Sequence, residues 1–246
     1  MSSYDALASS YDGLMADAAY VKRAEYLHRC LQKSREKVET VLDLGCGTGT
    51  ISCLLAEKGY RVLGCDASVE MLTEAMIKSA GMENAPMFLH QSMEKLRLAE
   101  EVDAVVSTVD AVSYLTREST VRETFRRVCK WLRPGGQFIF DVNTPYKFRR
   151  MDGQLYTDET EESYCVWRTF FSEKTKCCTY QVDLFHLRRD GAWEREYEEH
   201  RERAWSEEEL RTFLADAGFT KVKLTADLKQ CAPKAEEDRW IFHCTK

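Results

Sequence analysis

The segment VLDLGCGTG, Val41–Gly49, sets an acid, Asp43, two positions before a turn in which Gly45, Gly47 and Gly49 alternate with Cys46 and Thr48. An apolar run ending on so few side chains leaves main-chain N–H groups bare, so a ligand can lie against the backbone where a strand turns into a helix. Alone, the pattern is a weak signal, because short glycine turns between strand and helix are common. A second feature sits 21 residues after Gly45, where Asp66 ends the next apolar run. A carboxylate there is placed to accept hydrogen bonds from both hydroxyls of a ribose. Its structural alternative, capping the following helix, is already filled by Ser68. Together the two features point to an adenosine-containing ligand. NAD shares this much, but the glycines are spaced GxGxG where the dinucleotide fingerprint has GxGxxG. Asp43 would hold a positively charged amine near the loop and repel a pyrophosphate.

The surrounding periodicity supplies the elements that must position these residues. The first forty residues read as helical, with a polar break at Ser9–Gly13 and a longer helix over Ala19–Lys37. Strands are expected at Thr40–Leu44, Arg61–Cys65, Met87–His90, Val102–Thr108 and Gln137–Val142. Helices over Thr50–Lys58, Ser68–Ala80 and Ser119–Leu132 alternate with them, the first two stopped by Gly59 and Gly81 and the third by RPGG. From Ser163 the texture changes to long β-branched and aromatic runs separated by turn signals, which predicts an antiparallel meander of three strands. Ser206 with Glu209 forms a capping box for a last helix ended by Gly218. A strand pair, Lys221–Thr225 and Trp240–Thr245, follows in place of a second βαβ unit.

With VLDLGCGTG, Asp66 and the LRPGG before the fifth strand in place, the chain resembles the class I S-adenosylmethionine (SAM)-dependent methyltransferases over about Tyr11–Cys244. The resemblance implies an α/β, Rossmann-like fold: a seven-stranded mixed sheet in the order 3-2-1-4-5-7-6, helices on both faces, an N-terminal helical cap and a small antiparallel insertion. It implies a cap over 1–38, a SAM-binding core over 39–146 and 204–246, and an insertion over 147–203 acting as acceptor lid or dimer contact. Asp43, Gly45, Cys46, Gly47 and Gly49 would surround the methionine part of the cofactor. Asp66, followed by Ala67, would hold the ribose. Met71 and Met93 are candidate walls for the adenine ring, though either reads equally as core. Ser92 stands where similar proteins carry the acid that accepts the adenine amino group. The resemblance places cofactor and acceptor contacts at the end of the fourth strand, which makes Thr108 a further candidate cofactor contact. Tyr11 would approach the sulfonium, where a ring face favours a cation by about 0.5–2 kcal/mol.

Methyl transfer to give S-adenosylhomocysteine is a direct displacement that needs alignment and exclusion of water, with no metal and no covalent nucleophile. If the acceptor brings a proton, Asp110, Tyr114 and His186 are the candidate bases, in that order. NTPY, Asn143–Tyr146, is similar to a motif that grips amino groups in some methyltransferases, but it follows the fifth strand and reads as a turn into the insertion. EREYEEHRERAW reads as a solvated strand face.

The net charge of −6 argues against nucleic acid as a partner, and no apolar stretch is long enough to span a bilayer. The start of the chain carries no secretory pattern, and the ten cysteines include no CxxC pair. The expectation is a cytoplasmic enzyme, monomer or homodimer, methylating a small molecule at nitrogen or oxygen. The alternatives are an RNA or protein methyltransferase, a non-catalytic SAM-binding protein, and an NAD-dependent reductase.

Overall fold

The computed structural model describes residues 19–246. Helix α1 (Tyr20–Leu31) leads into β1 (Thr40–Leu44), and four further strands follow with helices between them. These are α2 (Thr50–Glu57), β2 (Arg61–Asp66), α3 (Val69–Ser79), β3 (Met87–His90), β4 (Val102–Ser107), α4 (Glu118–Trp131) and β5 (Leu132–Asn143). After an intervening segment, α6 (Glu207–Ala217), β10 (Lys221–Ala226) and β11 (Arg239–Thr245) complete the main sheet. Its order is β10-β11-β5-β4-β1-β2-β3. Strands β1 to β5 pair in parallel, while β11 runs antiparallel to both β5 and β10. This is the seven-stranded mixed sheet expected from the sequence, with β11 as its antiparallel strand.

Every residue of β1 is buried, as a central parallel strand with both faces covered requires. Alternation then sorts side chains between two layers. Leu42, Phe138, Phe140 and Phe242 meet Phe125 of α4 and Phe213 of α6 on one face. Val41, Val106, Ile139 and Ile241 meet Leu27 of α1 and Leu55 of α2 on the other. The strand order reverses between β1 and β4, so their carboxyl ends open a crevice.

Between β5 and α6 the chain builds α5 (Pro145–Met151) and a second sheet of four antiparallel strands in sequence order. These are β6 (Leu155–Glu159), β7 (Ser163–Ser172), β8 (Cys177–Leu187) and β9 (Trp193–Arg203). The expected meander had three strands. All five residues of β6 are exposed, so this edge strand has no apolar face to show in its sequence. NTPY likewise starts a helix: the Thr144 hydroxyl caps α5 by accepting from Lys147 N at 3.0 Å, with Pro145 in the first turn. The ten cysteines are free thiols. No described helix is long and apolar enough to cross a membrane.

Phe140 and Phe242 stack at 5.0 Å across the β5–β11 ladder, both fully buried. Phe140→Ala is expected to lower stability by about 3–5 kcal/mol, read as a shift of the urea midpoint.

Candidate active site

The crevice holds a cavity of ≈ 540 Å³, within the usual range for small-molecule sites. Three glycines shape the turn beneath it for three different reasons. Gly45 has φ +75°, and a Cβ there would lie 2.5 Å from Met93 Cε and 2.8 Å from Ala111 Cβ. Gly47, at φ +51°, has no atom of a described residue within 4 Å of a Cβ. Gly49 starts α2 at φ +73° against Ala75 and Phe88, and it does not line the cavity. The cofactor contact expected at Gly49 is therefore a packing role in this geometry, because a side chain there would strike α3 and β3.

The loop is tied down by the strand beside it. Gly45 N and Cys46 N both donate to Cys65 O, at 2.7 and 3.1 Å. Gly47 N donates to Asp66 Oδ2 at 2.8 Å, and Ser68 N to Asp66 Oδ1 at 3.0 Å. Asp66 thus braces the turn as well as lining the cavity, while Ser68 caps α3 as expected. Asp43 also lines it, almost fully buried, and accepts from Ser52 Oγ at 2.6 Å. Burial, reinforced by the charge of Asp66 and opposed by the Ser52 bond, pushes the Asp43 carboxyl up to about 7.

The opposite wall follows β4. Val109 and Asp110 both adopt positive φ, 55° and 56°, at a cost of order 1–3 kcal/mol each for side-chain-bearing residues. The Asp141 carboxylate holds them there, accepting from Val109 N at 3.1 Å and Asp110 N at 2.7 Å. Asp141 is buried and flanked by Arg23 of α1 at 3.1 Å and Arg239 of β11 at 2.6 Å. This turn exposes Thr108, Val109, Ala111 and Tyr114 to the cavity and sends the Asp110 side chain away from it. Asp110 meets Arg239 at 3.2 Å and accepts from Asn143. Burial opposes its ionisation, but Arg239, Lys147 and Asn143 outweigh burial and hold its carboxyl below the ordinary value. An ionised, ion-paired carboxylate outside the cavity is poorly placed as a base.

Tyr114 lines the cavity, its ring edge-on to His200 of β9 at 6.2 Å. His186 does not line it; that ring sits on β8 with Nε2 3.3 Å from Glu196. Of the three candidate bases the fold brings one, Tyr114, to the cavity. Cys46, Ala67, Met71, Ser92, Met93 and Thr108 all line it. Ser92 Oγ donates to Glu94 Oε1 at 2.8 Å, so an acid does stand at that end, two residues on. Tyr11 lies outside the described residues; Tyr20, on α1, lines the cavity instead.

Sequence reasoning missed several residues. Asn143 donates to both Asp110 and Glu202, the latter at 2.9 Å, and accepts from Lys147 Nζ at 2.9 Å. Burial and the neighbouring Asp110 charge push the Glu202 carboxyl well above its ordinary value. The position of Asn143 in NTPY was its one signal. Glu199 and Arg201 of β9 line the cavity, hidden in the run read as a solvated face.

The cavity suits SAM better than a dinucleotide. Among the described residues, Asp43, Asp66, Glu94 and Glu199 face it against a single basic side chain, Arg201, and none of them crowds the bare Cα of Gly47. That balance favours a sulfonium and an amine over a pyrophosphate. A crossover sheet with this site defines a class I SAM-dependent methyltransferase.

The comparisons agree. Residues 41–136 match the family described as "Methyltransferase domain". The Bacillus subtilis protein named "Putative methyltransferase YqeM" is 33% identical over 246 residues, covering 99% of this chain and 97% of the relative. The chain belongs to this methyltransferase family. A SAM-dependent methyltransferase structure from Clostridium acetobutylicum superposes with a TM-score of 0.88 at 24% identity, covering 98% of both chains. The sugar N-methyltransferase KedS8 from Streptoalloteichus sp. superposes at 0.80 with 20% identity, covering 100% of this chain and 96% of that one.

Two outcomes test the site. Among the described residues a Cβ at Gly47 meets no atom within 4 Å, so Gly47→Ala should lower stability by only about 1–2 kcal/mol of backbone strain. Its SAM affinity should fall about tenfold or more by calorimetry. Gly45→Ala, which strikes Met93 and Ala111, should lose more stability. Asp43, whose folded pKa of about 7 exceeds its unfolded value, binds more protons when folded. The ligand-free protein should therefore lose stability as pH rises from about 4 to about 7, and Asp43→Asn should reduce that loss in urea midpoints across the window.

Proposed function

We propose that the protein transfers the methyl group of SAM to a nitrogen or oxygen of a small molecule held between Tyr114 and β9. The observation that carries this reading is the continuity of one cavity from Gly47, Asp66 and Met71 to Tyr114, Thr116, Glu199 and Arg201. The antiparallel sheet reaches that far end through the Tyr114–His200 contact, so residues 147–203 act as the acceptor's wall, the core as the cofactor's, and α1 as part of a cap. The sugar N-methyltransferase activity of KedS8, which shares the fold, favours the same class of acceptor.

Asp66 would accept from the ribose hydroxyls while still bracing Gly47. Asp43 and the backbone at Gly45 and Gly47 would hold the methionine portion. Met71 and Met93 would flank the adenine, with the Ser92–Glu94 pair as acceptor for its amino group. When bound, SAM supplies a methyl carbon on a sulfonium, and the acceptor's lone pair forms the new bond as the carbon–sulfur pair leaves onto sulfur. The chain contributes alignment and exclusion of water. Tyr114 is the side chain of the three candidates positioned to take a hydrogen bond from the acceptor.

Calorimetry should show micromolar binding of SAM and S-adenosylhomocysteine and none of NAD. Asp66→Ala should weaken SAM by more than about tenfold, the loss of a bidentate ribose contact. With radiolabelled SAM, the methyl group should enter the small-molecule fraction of a bacterial extract; label found only in protein or RNA would sink the acceptor assignment.

A further inference from the structure

We infer that Glu199 and Arg201 form the acceptor's recognition pair, and that the acceptor therefore carries both an amine and an anionic group such as a carboxylate or phosphate. This rests on the acceptor reading above and narrows it.

The two residues are two apart on β9, so their side chains leave the same face, with Cα atoms about 6.5–7 Å apart. β9 is the edge strand of its sheet, and both residues are exposed and line the cavity beside Tyr114 and Thr116. The residues alternating with them turn inward and fix the strand. His200 packs edge-on to Tyr114, and Glu202 accepts from Asn143 at 2.9 Å. The register that anchors β9 to the core is thus the register that presents Glu199 and Arg201 to the cavity.

Their chemistry differs from that of the other charged groups lining the same space. Asp43 is bonded to Ser52, Asp66 to the loop, and Glu94 to Ser92. The Arg201 side chain makes no ion pair or hydrogen bond with a described residue, whereas those of its neighbours on β9 do: Arg195 is held by Asp183, and Arg203 by Glu209. A guanidinium with its donors unengaged at the mouth of an acidic cavity is suited to a carboxylate or phosphate, which it grips with two parallel bonds. Glu199, whose one bond is a long one of 3.5 Å from the Tyr197 hydroxyl, offers a carboxylate to an ammonium. The step balances. The ammonium hands a proton to the Glu199 carboxylate, which later releases it to water. The freed nitrogen lone pair forms the bond to the methyl carbon, and the carbon–sulfur electron pair leaves with sulfur.

The test uses the full-length protein, radiolabelled SAM and a deproteinised Bacillus subtilis small-molecule extract. The labelled product should bind a cation exchanger in acid and an anion exchanger in alkali, as a compound bearing both groups must. Arg201→Ala should cut that labelling about tenfold or more, Arg201→Lys should restore part of it, and both should keep the wild-type SAM affinity within about twofold by calorimetry. Glu199→Gln should lower labelling with the same unchanged SAM affinity. A labelled small molecule that never binds the anion exchanger overturns the inference while sparing the acceptor reading. Wild-type labelling by Arg201→Ala overturns it too, and loss of SAM affinity in that variant would make Arg201 a cofactor residue instead. Label that enters no small molecule, but enters protein or RNA when whole extract is supplied instead, removes both this inference and the reading beneath it.

Discussion

The buried Asp141 carboxylate is the constraint on which the crevice depends. Two side-chain-bearing residues, Val109 and Asp110, are held in the left-handed region by its oxygens, and without an anion at that point their N–H groups would have no shared partner. The anion is tolerated in the interior because Arg23 and Arg239 flank it from two different elements. One ionic cluster therefore fixes the turn after β4, the seating of α1 through Arg23, and the docking of β11 through Arg239. Tyr20, three residues before Arg23, reaches the cavity from the same helix. The position of α1 and the shape of the cavity wall after β4 are set by the same few atoms.

A second polar cluster couples the added sheet to this one. Asn143 ends β5 and joins Asp110 to Glu202, and Asp110 in turn shares Arg239 with Asp141. Of the two carboxyls, Asp110 is shifted down by Arg239 against its burial, and Glu202 is shifted up by burial and by Asp110. That division lets two acids sit around one amide without mutual repulsion. The antiparallel sheet is thus a polar-keyed partner of the core, and its edge strand is held at the cavity's far end.

What the sequence made legible was local. The glycine turn and Asp66 lie on neighbouring parallel strands joined by one helix, so their meeting follows from a single βαβ unit. The elements followed from the alternation of apolar runs and capped helices, and their order in the sheet from the resemblance to class I methyltransferases. The missing parts depend on distant pairings. Asp110 is turned out of the site by Arg239, 129 residues away, and nothing within STVDAVSYL announces it. Strand β6 escaped notice because it buries no side chain. Glu199 and Arg201 looked like a solvated face because they are exposed, and their meaning comes only from the turn that β9 packs against. His186 alternates with aromatics much as an active-site residue would, yet its strand carries it to Glu196 instead.

The place of Arg239 also bears on how the protein comes into being during synthesis. β1 to β5 can pair as soon as residue 143 has left the ribosome, since each lies beside a strand already made. Asp141 would then be buried with one of its two guanidiniums still untranslated. Strand β11 must slot between β5 and β10 before that charge is matched. The scaffold can thus form early, while the turn that lines the cavity takes its final shape only after almost the whole sheet is assembled. A nascent chain would carry the glycine loop long before it carried a finished crevice, and cofactor binding would report completed folding.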